Sequence, residues 1–152
     1  QPAPPTTASG KPQKIITVRV TAPAPSRFDG AALLSAMEGL DLVHGRFDIF
    51  HRMHPLGRPV FSIANLLEPG TFDPATMRSG AYPGVAIFAV LPGPVSGHHA
   101  LDDLMATARS LADRLGGNLL DDRGAMLSVQ RMAQMREEVT VFERRLTGAR
   151  AG

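Results

Sequence analysis

Residues 85–91 read VAIFAVL, an unbroken apolar run bracketed by Pro83-Gly84 and Pro92-Gly93. Seven residues between turn signals are too few for a typical helix and suit a strand. Side chains alternate along a strand, so Val85, Ile87 and Ala89 face one way and Ala86, Phe88 and Val90 the other. Both sets are apolar. That pattern belongs to a central strand whose two faces are both covered for at least part of the time.

The neighbouring segments fall into place around this run. IITVRV (15–20) is a β-branched strand with Ile16, Val18 and Val20 on one face and Ile15, Thr17 and Arg19 on the other. LVHGRFDIFHR (42–52) is expected as one strand, with Phe47 and Ile49 sharing a face and Phe50 opposite. HPLGRP (54–59) is a turn, and VFSIANLL (60–67) is a strand with Phe61 and Ile63 against Ser62, Ala64 and Leu66. A long loop, EPGTFDPATMRSGAYPG (68–84), leads into the central run, and Asp73 before Pro74 favours a turn within it.

Helices are marked by a different period. Asp29 is a candidate N-cap, Leu33, Met37 and Leu40 recur at helical spacing, and Gly39 is placed to end the helix. Residues 97–115 carry the clearest stripe: Leu101, Leu104, Met105, Ala108, Leu111, Ala112 and Leu115. Ser96 is positioned to cap this helix, and Gly116-Gly117 to stop it. NLLDD (118–122) then turns at Asp122-Arg123-Gly124 into AML (125–127). A last helix from Ser128 steps through Met132, Met135, Val139, Phe142 and Leu146, which makes its methionines core residues.

The order is β-α-β-β-β-α-β-β-α, an α+β chain with about six strands and no internal repeat. Three single-striped helices cover one face of a sheet and leave the other open. The open face would carry Ile15, Thr17, Phe47, Ile49, Ala64, Leu66, Ala86, Phe88 and Val90, and an apolar patch of that kind marks an interaction site.

Composition bounds the function. The chain has 152 residues, 43% of them hydrophobic and 20% charged, which fits one globular domain. It has no cysteine, which removes disulfides, thiolate metal sites and cysteine nucleophiles. A formal charge of +2 is small, and the basic residues are scattered apart from Arg144-Arg145. That argues against a nucleic-acid stripe. No apolar run approaches the ~18 residues of a membrane span, and no signal peptide is visible. Residues 1–14, rich in Pro, Thr and Ala, read as the end of a linker, with the domain expected over 15–147 and a disordered tail over 148–152. The opening residue is Gln1 rather than Met, so the chain is expected to be a fragment of something longer, which leaves room for a membrane anchor upstream.

Catalytic signals are missing. The sequence has no P-loop, GxGxxG, GxSxG or HExxH. His51 and His54 lack a carboxylate at a metal-site spacing and read as structural or surface residues. His98 and His99 fall in a first helical turn, point to different sides and read as solvated. Asp102-Asp103 suit a helix N-terminus and Asp121-Asp122 a turn, so neither pair makes an acid–base couple. We expect no catalytic residue, no cofactor and no metal.

Several stretches carry a family resemblance. HRM (51–53), VFSIANLLEPGTFDP (60–74), PGVAIFAVLPG (83–93) and LADRLGGNLLDDRG (111–124) resemble the C-terminal domain of the ZipA family, over roughly 15–146. The resemblance implies a split β-α-β fold: an antiparallel sheet with three helices on one side. It also implies a non-catalytic adaptor of bacterial cell division and septum formation, at the cytoplasmic face of the inner membrane. There it binds the C-terminal tail of FtsZ on the free sheet face. The implied contact residues are Ile15, Thr17, Phe47, Ile49, Ala64, Leu66, Ala86 and Phe88. Membrane contact would come only through an N-terminal anchor outside this chain. The family carries a basic residue at the position of Glu68 and methionines at those of Phe47 and Leu66, so this chain presents less adaptable side chains there. The rival reading is an RRM-like RNA-binding module that stacks bases on Phe47 and Phe88. Against it stand the lack of a basic-aromatic RNP1 run and a face whose main charge is Arg19.

Overall fold

The computed structural model describes residues 12–151. The expected linker end lies outside the described residues for 1–11, as does Gly152 of the expected tail. In chain order the elements are β1 (Lys14–Thr21), β2 (Phe28–Asp29), α1 (Gly30–Gly39), β3 (Val43–His44), a 3-10 turn (Arg46–Asp48), β4 (Phe50–Met53) and β5 (Pro59–Asn65). There follow α2 (Pro74–Met77), β6 (Ala81–Tyr82), β7 (Gly84–Leu91), α3 (Gly97–Leu115), β8 (Asn118–Asp121) and α4 (Val129–Ala151). Six strands form one antiparallel sheet in the order β3-β4-β5-β7-β1-β8. This is the expected α+β class, with the apolar 85–91 run at the sheet's centre.

The β1–β7 ladder sets the parity of the sheet. Ile16 lies opposite Ala89, Val18 opposite Ile87 and Val20 opposite Val85. All six are buried in the main core with Phe61 and Ile63 of β5. Leu33, Leu34 and Met37 of α1 join the same core, as do the stripe of α3 and Met135, Val139 and Phe142 of α4. The helices therefore lie on one side of the sheet. The α3 stripe is buried as its spacing predicts, from Leu101 to Ala112, with Leu115 partly buried. The Ser96 hydroxyl accepts from the His99 N–H at 3.2 Å, and Gly116 closes the helix at φ 66°, a conformation that favours glycine. Gly97 lets α4 approach closely: a Cβ there would stand 2.7 Å from Val139 Cγ1. Asp29 caps α1, its carboxylate accepting from the Ala32 N–H at 3.1 Å, while Leu40 is the C-cap residue rather than a helical one.

Five expectations need correction. The segment 42–52 is not one strand: Phe47 and Asp48 sit at φ 62° and 56°, which turns the chain between β3 and β4. The third strand ends at Asn65, whose amide donates to the Thr71 carbonyl and turns the chain towards the long loop. That loop contains α2 and β6, the latter pairing with β2. AML contributes only a single bridge, Leu120 to Met126. At the other end, α4 carries on to Ala151, past the domain end expected at residue 147.

Leu104 is fully buried in α3 where the helix meets the sheet. Leu104→Ala is expected to lower the unfolding free energy by about 2–5 kcal/mol, read from urea denaturation.

Candidate binding face

The odd-numbered positions of β1, the even-numbered positions of β7 and positions 62 and 64 of β5 point away from the helices. Register places them in rows. Ala64, Ala86 and Arg19 make one row, and Ser62, Phe88 and Thr17 the next. Ile15 lies opposite Val90 beyond them. On the other side, the Leu66 N–H donates to the Gly84 carbonyl at 3.2 Å.

The face is less bare than alternation implies. Ile49, Ala64 and Phe88 pack into a second cluster, separate from the main core, with Val90 against it. Ala64 and Ala86 form a floor of small side chains that larger neighbours overlie, and both are buried. Phe88 is 9% exposed. Thr17, Leu66 and Val90 are half-buried. Only Ile15, at 40%, and Phe47, at 53%, stand out into solvent. Phe47 does not share a strand face with Ile49. It projects from the 3-10 turn, which follows from its positive φ.

That turn is over-determined by hydrogen bonds. The Gly45 N–H donates to the Ile49 carbonyl at 3.0 Å, and the Asp48 N–H to the Gly45 carbonyl at 3.1 Å. The Phe72 N–H, from the long loop, donates to the Asp48 carbonyl at 2.8 Å. His44 Nε2 donates in return to the Phe72 carbonyl at 2.7 Å. Below the turn, His51 Nε2 lies 2.9 Å from the Arg46 carbonyl and Nδ1 lies 2.7 Å from Ser62 Oγ. A carbonyl only accepts, so Nε2 carries the proton and Nδ1 accepts from the serine hydroxyl. His51 is 5% exposed, a structural histidine as the sequence implied. Its place on the open face was readable from its spacing to Ile49.

Several other ionisable groups have structural partners. The Asp121 carboxylate accepts from the Arg123 N–H at 2.9 Å and the Ala125 N–H at 3.0 Å. The Ala125 bond above all holds it below the usual carboxylate range. Asp102 pairs with Arg136, Asp103 lies 3.4 Å from Arg52 and Asp122 lies 3.4 Å from Arg131. His98 is not solvated as expected: it is half-buried and donates from Nε2 to Thr140 Oγ1 at 2.9 Å, because α4 packs across the start of α3. His99 is exposed. Arg19 Nη2 donates to the Asp122 carbonyl at 2.9 Å, so the charge expected on the face is drawn to the turn after β8. Among the described residues no three His, Asp or Glu side chains gather as metal ligands. No helix among them is long and apolar enough to cross a membrane.

Fold and face define an open-faced α+β sandwich, a sheet backed by helices on one side and carrying a small apolar cluster on the other. The chain belongs to the family described as "ZipA, C-terminal FtsZ-binding domain", whose model matches residues 14–138. It is similar to the Cell division protein ZipA of Xanthomonas euvesicatoria pv. vesicatoria, 36% identical over 134 residues, which covers 86% of this chain and 55% of that protein. The same-named protein of Ectopseudomonas mendocina is 37% identical over 136 residues, 88% of this chain and 50% of that protein. That of Marinobacter nauticus is 34% identical over 142 residues, 91% and 42% respectively. The chain thus spans about half the length of the curated relatives it matches.

Burial pushes the His51 pKa below its ordinary 6.5, and Coulombic repulsion from His44 and Arg46 acts the same way, against the hydrogen bond to the Arg46 carbonyl. The unfolded chain therefore takes up this proton at a higher pH than the folded one. The stability His51 contributes is complete above about pH 6.5 and is lost as pH falls through the lower folded pKa. In urea melts, the stability gap between the wild type and His51→Gln is expected to narrow as pH drops from about 7.5 to about 5. A gap that stays constant would show that His51 does not titrate in this window.

Proposed function

We propose that this domain is a non-catalytic adaptor of bacterial cell division that binds the C-terminal tail of FtsZ on the open sheet face. In this reading the tail lays apolar side chains over Phe47, Ile49, Leu66 and Phe88, with Ile15 and Thr17 at one rim and Ala64 and Ala86 as the floor. The observation that carries it is the second apolar cluster of Ile49, Ala64 and Phe88, built on the side of the sheet that no helix covers. A sheet whose core is complete on one side has no folding need for an aromatic on the other, and such a patch fits a partner. Membership of a family described as FtsZ-binding gives that partner its name.

The rest of the reading follows the family. The domain would tether FtsZ to the cytoplasmic face of the inner membrane and stabilise the Z ring, with the membrane connection made by parts of the protein outside these residues. An RNA platform fits less well. It needs exposed rings side by side on adjacent strands, whereas Phe88 is 9% exposed and Phe47 stands on a turn.

Calorimetry with the FtsZ tail peptide tests the assignment. Phe88→Ala and Phe47→Ala are each expected to weaken binding by about 1–3 kcal/mol, with the circular dichroism spectrum retained. Phe47 is exposed, so its loss separates binding from folding. Unchanged affinity in both variants would overturn the site.

A further inference from the structure

Two consecutive non-glycine residues, Phe47 and Asp48, occupy left-handed backbone conformations in the turn at the edge of the open face. Such conformations are costly and persist where the surroundings impose them, which is often at a functional site. Here His51, Phe72, Gly45 and Ile49 all hold the turn in place. The turn has no buried apolar residue to justify this investment of hydrogen bonds: Arg46, Phe47 and Asp48 are all exposed. What it does is present an aromatic ring with a cation above it. The Arg46 guanidinium carbon lies 5.3 Å from the centroid of the Phe47 ring, within cation–π range.

The stack leaves the arginine's hydrogen-bonding edge available. Stacking uses the guanidinium face, while its N–H groups lie in the plane and point outwards. Arg46 makes no ion pair among the described residues. The other arginine of the face, Arg19, donates to the Asp122 carbonyl. The free positive charge of this face is thus concentrated at Arg46, beside an exposed ring and three residues before Ile49 in the chain.

Building on the FtsZ-tail reading of this face, we propose that Arg46 is its specificity-determining cation: stacked on Phe47, it binds a carboxylate of the peptide whose apolar side chains rest on Phe47, Ile49 and Phe88. A guanidinium offers paired N–H donors to a carboxylate, a match that lysine or a neutral side chain does not reproduce. The ring beneath it restricts the side chain, so less rotamer freedom is lost on binding. The ligand class is an apolar peptide with an acidic group close to its aromatic or aliphatic anchors.

The test compares wild type, Arg46→Gln, Arg46→Glu and Phe88→Ala by calorimetry at low and high salt. Three forms of the FtsZ tail peptide are used: unmodified, with acidic side chains changed to amides, and with an amidated C-terminus. Arg46→Gln is expected to weaken the unmodified peptide about two- to fivefold, and Arg46→Glu more, with both losses shrinking at high salt. One of the two neutralised peptides should bind wild type and Arg46→Gln equally, which tells whether the carboxylate is a side chain or the chain terminus. If Phe88→Ala weakens binding while Arg46→Gln and Arg46→Glu match wild type, the Arg46 assignment is overturned and the face stands. If both neutralised peptides still distinguish wild type from Arg46→Gln, Arg46 acts through something other than a carboxylate and the proposal fails. If wild type does not bind the unmodified tail, the FtsZ reading and the Arg46 assignment fall together.

Discussion

The antiparallel pairing of β1 with β7 fixes everything else in this domain. Eight residue pairs, from Lys14–Leu91 to Thr21–Gly84, decide which side of the sheet each side chain reaches. A slip of one residue would send Ile16, Val18 and Val20 to the face that now holds Ile15, Thr17 and Arg19. Burial of the first set against α3 makes that slip expensive. The register is therefore enforced by the helical side, and the open side inherits its arrangement. Phe88 meets Thr17 and Ser62 because Ile87 meets Val18 and Ile63.

A second level of order is built on that inheritance. Small residues at 62, 64 and 86 let Ile49 and Phe88 settle onto the sheet without a helix above them. Ser62 also accepts a second task, donating to the ring of His51, which in turn holds the Arg46 carbonyl. The chain from Phe88's row to the exposed Phe47 thus runs through a buried, neutral imidazole and one strained turn. The long loop completes it from outside, through the bonds of Phe72 with Asp48 and His44. This joins two segments distant in sequence at one edge of the face. The same loop residue packs edge-on against Phe50 and Tyr82, so the turn is anchored to the main core as well.

Much of this was legible from residues 15–146. Apolar alternation and helical stripes placed β1, β5, β7, α3 and α4, because in each case burial on one side imposes a strict period. Caps at Asp29 and Ser96 were legible because a short polar side chain before an apolar stripe satisfies free N–H groups. The alternation of 42–52 misled: its apolar residues fit a strand, but Gly45 and the positive φ at Phe47 and Asp48 break it, and no local pattern announces φ > 0 at a phenylalanine. The degree of exposure was also out of reach. Alternation assigns Ala64, Ala86 and Phe88 to a face, while their burial depends on how side chains from three strands lean over one another.

The sequence alone determined the class of fold, the central strand and the membership of each face, since these follow from period and from hydrophobic burial. It also carried the family resemblance in the stretch from Val60 to Pro74. Only the tertiary structure decided that the face is a compact cluster with an exposed aromatic rim, and that its free charge is Arg46 rather than Arg19. Those facts rest on contacts between residues far apart in the chain, such as Arg19 with Asp122, His51 with Ser62 and Asp48 with Phe72. Hydrogen bonds of that kind have no period, so they become visible only once the sheet has brought their partners together.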